Sequence, residues 1–152
     1  MISHTYVGIS DFDRALRFYQ SVLPVLGLTL KFCDAAKPWA AWMTPGVARP
    51  LFIIGRPFDG RVASAGNGAM IALLAPDRAA VDAAYRAALA AGGSDEGVPG
   101  LRPHYHPNYY GAYFRDPDGN KLCVVGHDAP ERANGVGQSA SHCAAFLPLN
   151  GE

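Results

Sequence analysis

The sequence predicts an α+β domain made of two tandem β-α-β-β-β modules. Stretches that are β-rich or that alternate apolar and polar residues flank each of two segments with helical periodicity. The helical segments repeat at an offset of 66 residues, which superimposes a helix cap, a helix face and a terminating glycine. A turn with proline and glycine, Asp116 to Asn120, joins the last two predicted strands into a hairpin.

The first module begins with a predicted strand at residues 4–9. Asp11 then offers a helix N-cap, and apolar residues follow at i, i+3 and i+4 until Pro24 and Gly27 end the helix. Three further strands are predicted at residues 28–33, 39–43 and 50–55.

The second module repeats this order with a strand at 69–75, a helix capped by Asp77, and hairpin strands at 109–115 and 121–127. Another strand must lie between residues 99 and 106, where Pro103 and Pro107 make it short or an edge strand. The predicted boundaries are one domain at 1–127, with module 1 at 1–55, a polar linker at 56–66, module 2 at 67–127, and a tail at 128–152.

Composition excludes several classes of partner. Thirteen basic residues balance thirteen acidic ones, and no basic run favours nucleic acid or an anionic membrane surface. No apolar stretch approaches the roughly 20 residues that span a bilayer. The three cysteines are an odd number and lie far apart, which fits a reducing cytoplasm better than a disulfide framework.

Two motifs and one longer segment carry a resemblance. The chain opens with His4-x-x-Val7-Gly8-Ile9-x-Asp11 and Arg14-Ala15-x-x-Phe18-Tyr19, and carries Asp116-Pro117-Asp118-Gly119-Asn120 near the end of its second module. With the repeat, these motifs resemble the glyoxalase/bleomycin-resistance/extradiol-dioxygenase superfamily, also called vicinal oxygen chelate proteins, over residues 1 to about 127. Residues 97–110 look like a glyoxalase-like bacterial subgroup.

The resemblance implies an eight-stranded mixed sheet that curves into a cup, with the helices outside. It also implies a divalent metal held by side chains of the first and fourth strands of both modules, for lyase, isomerase or dioxygenase chemistry.

The chain departs from that metal pattern. His4 stands at the first-strand position, and the offset places Met70 at its counterpart. Alignment of residues 50–55 with 121–126 places Phe52 and Cys123 at the other two positions. Only His4 is a good ligand for a divalent ion, so we expect no metal cofactor there, with a divalent metal on His4 as the alternative.

The segment from His104 to Tyr110 concentrates histidines and tyrosines close to Arg102. These side chains suit an anion clamp or acid–base chemistry, whereas the competing interpretation is a proline-stiffened loop that packs on the hairpin. The candidate substrate-binding residues are His4, Phe52, Met70, Arg102, His104, His106, Tyr109 and Cys123.

We therefore expect a glyoxalase-like protein that binds a small organic molecule in the cup. The alternatives are a metal-independent binder of the bleomycin-resistance type and an active metalloenzyme that uses His104 and His106. A homodimer is expected because open sheets expose edges and apolar surface, with Phe146 and Leu147 as candidate contacts.

Overall fold

The computed structural model of the chain describes residues 1–128, so the predicted tail beyond Asp128, with Phe146 and Leu147, lies outside the described residues. Module 1 contains β1 His4–Gly8, α1 Phe12–Val22, a 3₁₀ turn Leu23–Leu26, β2 Thr29–Asp34, β3 Trp39–Met43 and β4 Leu51–Gly55. Module 2 contains β5 Ile71–Leu74, α2 Arg78–Ala90, β6 Ser94–Leu101, β7 Tyr110–Arg115 and β8 Lys121–Gly126. Neither helix of this part of the chain has the length and apolarity that a membrane crossing requires.

Both helices begin at the predicted aspartates. The Asp11 carboxylate accepts the Arg14 N–H at 3.0 Å, and the Asp77 carboxylate accepts the Ala80 N–H at 2.7 Å. Each carboxylate satisfies a backbone donor that has no partner within the first helical turn. Gly27 ends the 3₁₀ turn with φ of 80°, a left-handed conformation that glycine adopts without strain.

Each module forms its own four-stranded mixed sheet. The strand orders are β1-β4-β3-β2 and β5-β8-β7-β6, and in both sheets the first strand runs parallel to the fourth. The predicted α+β fold with tandem β-α-β-β-β modules is confirmed. Among the described strands, however, the eight form two open sheets rather than one, because no hydrogen-bonded pairing joins the two sets.

The strand predicted between residues 99 and 106 was misplaced. The edge strand β6 begins at Ser94 and ends at Leu101, so Pro103 and Pro107 lie in the loop that follows it. Pro103 and Pro107 disfavour a strand at their own positions, but they do not indicate that the glycine-containing residues before them form one.

One face of each sheet packs against the helices, and the side chains there form the main core. An aromatic group fills its centre: Phe18, Tyr19, Trp42, Phe52 and Phe114 are all almost fully buried. We call the opposite side of each sheet its open face.

Phe52 lies in this core, which corrects its prediction as a residue lining the cup. Its ring centre is 5.2 Å from that of Tyr19. The register pairs Tyr6 with Ile53 in module 1 and Ala72 with Cys123 in module 2, so Ile53 is the counterpart of Cys123. All five residues of β4 are buried, and without alternation of polar residues the sequence does not reveal which face each one takes.

The Asp116–Asn120 turn fastens module 2 to module 1. The buried Asp116 carboxylate accepts the Tyr19 hydroxyl at 2.7 Å and the backbone N–H of Asn120 at 2.8 Å. The Asn120 amide donates to Asp116 and to the Gly8 carbonyl, each at 2.9 Å. Burial, followed by the nearby Asp116 charge, raises the pKa of Tyr19 well above its ordinary value, so this hydroxyl remains a donor.

We expect Asp116→Asn to lower the free energy of unfolding by about 1–3 kcal/mol, because an amide NH₂ would then face buried donors. Denaturant unfolding followed by the fluorescence of the buried Trp42 measures this change. The control is Asp59→Asn at an exposed position, which should alter stability by less than about 0.5 kcal/mol. Equal stability of the two variants would contradict the role of the turn.

Candidate functional site

The open face of module 2 carries the chemically richest side chains of the described chain. Strands β7 and β8 pair Tyr113 with Cys123 and Arg115 with Lys121. Because alternate residues share a face, these four side chains lie on the side of the sheet away from α2. Met70 immediately precedes β5 and is 45% exposed.

Three adjoining hollows meet at Met70 and Lys121. One of about 310 Å³ extends to Arg102, His104, Tyr105 and Tyr113. A second of about 580 Å³ is lined by residues 65–69 and Arg115, and a third of about 230 Å³ reaches Tyr6 and Gly8 of β1. We call the three hollows together the trough.

Charged groups line the trough around one carboxylate. Glu96 accepts hydrogen bonds from Arg115 and, at 3.2 Å, from Lys121. The hydrogen bond from Arg115 has the largest effect on the pKa of Glu96 and the bond from Lys121 the next largest, and both lower it below its ordinary value. The Arg102 guanidinium and the Lys121 ammonium lie 5.8 and 5.7 Å from the centre of the Tyr113 ring.

The loop after β6 separates the roles of His104 and His106. Turn hydrogen bonds, such as that from the Tyr105 N–H to the Arg102 carbonyl at 3.0 Å, shape this loop, which is not a strand that would place both imidazoles on one side. The His104 ring packs beside Tyr105 and lines the trough. His106 instead forms a 2.8 Å hydrogen bond between its Nε2 and His127 Nδ1.

Tyr109 connects the histidine pair to Cys123. Its ring meets His106 and His127 edge-on, and its hydroxyl lies 3.3 Å from the Tyr113 hydroxyl and 3.6 Å from Cys123 Sγ. The ring lies close over Gly111, where a Cβ would come within 3.0 Å of it. Any larger residue at position 111 would therefore displace Tyr109.

Burial raises the pKa of the Cys123 thiol and that of the Tyr109 hydroxyl, so both groups are protonated near neutral pH. A protonated buried thiol is a poor nucleophile. Cys123 and Tyr109 therefore lie beside the trough as a protonated thiol and a protonated hydroxyl.

The inherited metal positions do not fit a divalent ion. With the corrected register they are His4, Ile53, Met70 and Cys123, which offer one imidazole, a hydrocarbon, a thioether and a protonated thiol. His4 is exposed and contacts Ser3. Within residues 1–128 no three His, Cys, Asp or Glu side chains are grouped so as to hold a metal ion. The absence of a cofactor remains a prediction that elemental analysis of the purified protein tests.

The structure thus divides the predicted site residues into four groups. Met70, Arg102 and His104 line the trough. His106, Tyr109 and Cys123 form the adjoining cluster, His4 lies on the exposed start of β1, and Phe52 lies in the core. The trough residues that the sequence analysis missed are Glu96, Tyr113, Arg115 and Lys121, whereas Tyr105 belongs to the segment from His104 to Tyr110 that it had singled out. Alternation along the hairpin, counted from Cys123, would have identified Tyr113 and Lys121.

We expect Cys123 to react much more slowly with a disulfide reagent than Cys33, because its thiol is shielded from the reagent and burial raises its pKa, which lowers the fraction of thiolate. Cys123 is fully buried and Cys33 is exposed. The test compares the variants Cys33→Ser/Cys143→Ser and Cys123→Ser/Cys143→Ser, in which a single thiol remains. Equal rates in the folded proteins would contradict the buried, protonated state, and both thiols should react alike after unfolding.

Comparison with known proteins agrees with this architecture. The glyoxalase/bleomycin-resistance protein of Albidiferax ferrireducens T118 is 33% identical, with a TM-score of 0.75 over 83% of this chain and 98% of that one. A glyoxalase-related enzyme from Fulvimarina pelagi is 21% identical, with a TM-score of 0.64 over 93% of this chain and 99% of its own.

A lactoylglutathione lyase from Agrobacterium tumefaciens is 22% identical, with a TM-score of 0.57 over 83% of this chain and 92% of its own, which shows likeness of fold alone. No curated protein matches the chain. The family model of the Glyoxalase/Bleomycin resistance protein/Dioxygenase superfamily matches residues 1–124. Together with the tandem modules and their paired sheets, this match shows that the chain belongs to that superfamily.

Proposed function

We propose that the protein binds a small organic molecule in the trough on the open face of module 2. The observation that carries the proposal is the meeting of three hollows at Met70 and Lys121, with aromatic and cationic side chains around them. Two of the hollows are about 310 and 580 Å³, within the range of small-molecule sites.

The lining suits a ligand with both an apolar and a polar part. Met70 and Tyr105 are 45% and 60% exposed, which leaves apolar surface for a ligand to cover. Arg102, His104 and Lys121 supply polar groups that fix its orientation. A flexible thioether also adapts to ligands of different shape.

The donor set favours binding over metal-dependent turnover. Catalysis through a metal-bound enediolate or catechol requires a Lewis acid, and the side chains at the inherited positions do not provide the imidazoles and carboxylates that hold one. We therefore infer that the protein binds its ligand without a metal ion. This is the bleomycin-resistance type of binder that the sequence analysis gave as an alternative.

We further infer a homodimer. The open face of module 1 exposes Tyr6 and Trp39 at 48 and 38%, and a symmetric partner would remove this apolar surface from water. Sedimentation velocity at micromolar concentration tests the inference, and a single monomeric species would refute it.

We expect Met70→Trp to fill the meeting point of the hollows and to weaken small-molecule binding at least about tenfold. The measurement is a thermal-shift screen of neutral and anionic aromatic fragments, followed by calorimetric titration of each hit. The matched control is Leu89→Trp on α2. Leu89 is 37% exposed, so the substitution makes a similar change in size far from the trough. If no fragment binds, or if every hit binds both variants equally, the trough is not the site.

A further inference from the structure

The trough carries more positively charged than negatively charged side chains. Arg102, Arg115 and Lys121 lie around a single carboxylate, Glu96, in the hollows that meet at Met70. The whole chain is neutral, with thirteen basic and thirteen acidic residues. The excess is therefore a local feature of this face rather than a consequence of overall composition.

Donors of these cations remain available. Lys121 has three N–H donors, and the hydrogen bond to Glu96 uses one of them. Arg102 donates to the carbonyl oxygens of Leu101 and Val98, and among the described residues it has no carboxylate partner. Three cations thus share one carboxylate, which leaves the trough with an excess of two positive charges.

A strand irregularity positions the one carboxylate. The register of β6 against β7 shifts between Asp95 and Gly97, so Glu96 is the extra residue and has no partner across the ladder. From there its two oxygens reach Arg115 and Lys121 separately. Glu96 thereby occupies part of the anion-binding capacity of the trough.

We propose that the ligand of the trough is an aromatic oxyanion, either a carboxylate or a phosphate. Its charged group binds Lys121 and Arg102, and its ring packs against Met70 and Tyr105. The inference rests on the proposed function, to which it adds the chemical class of the ligand. An oxyanion offers several acceptors to the free donors of a lysine and an arginine, and these charge-assisted bonds are the stronger kind.

The test uses three probes of similar shape: benzoate, phenyl phosphate and neutral benzamide, titrated by calorimetry or NMR. We expect Lys121→Gln and Arg102→Gln each to weaken binding of the anionic probes about ten- to a hundredfold. Arg86→Gln, an exposed position on α2, is the matched control and should change nothing. Benzamide should bind all four proteins alike, and the tighter of the two anions identifies the headgroup.

Glu96→Gln separates recognition from a structural role. It removes the carboxylate that competes for Lys121 and Arg115, so we expect anionic probes to bind several-fold more tightly and the gain to shrink with added salt. A merely structural ion pair would instead give weaker or unchanged binding in this variant.

Three outcomes would overturn the inference: equal binding of benzamide and benzoate, Lys121→Gln and Arg102→Gln variants that bind anions as the unmodified chain does, or weaker or unchanged anion binding in Glu96→Gln. In each of these cases the trough itself still stands if Met70→Trp blocks its fragments. If Met70→Trp blocks nothing, the proposed function fails as well, so the two failures are distinguishable.

Discussion

The buried Asp116 carboxylate is the constraint on which the arrangement of the two modules depends. It closes its own turn through Asn120 and accepts the hydroxyl of Tyr19 from the helix of the other module. Asn120 then reaches the end of β1, and Asp118 binds the Ser10 N–H and Arg14 at the start of α1. A charged group buried this deeply is tolerated because several donors surround it. The same hairpin carries Tyr113 and Lys121, so the anchor that joins the modules also positions the trough.

The two modules share a scaffold but differ on their open faces. In module 1 that face is largely apolar, with Phe32 and Trp39 rings 4.7 Å apart. In module 2 it carries cations, tyrosines and a histidine pair. Because side chains on a sheet alternate, both modules present an apolar face to the helices while their open faces carry different side chains. The departure from the inherited metal ligands belongs to this divergence, and it leaves the cations of module 2 as the chemistry available to a ligand.

Much of the fold could be predicted because its signals are local. Asp11, Asp77 and Gly27 mark helix ends through hydrogen bonds and backbone angles that depend only on nearby residues. The site was predicted less well. Met70, Arg102 and His104 were predicted as ligand-binding residues and lie together along the trough, whereas Phe52 was assigned to the wrong face. A one-residue slip in an entirely apolar strand reverses every side chain, and nothing in β4 itself prevents that slip.

The sequence by itself determined the order of the elements, the duplication and the superfamily, since periodicity, caps and turn chemistry are properties of short segments. Tertiary structure alone decided which side chains meet. The separation of His104 from His106 depends on turn hydrogen bonds, and the approach of Glu96 to Lys121 depends on a bulge and on strand pairing across 25 residues. Such contacts form only when distant segments are packed together, so no local pattern encodes them.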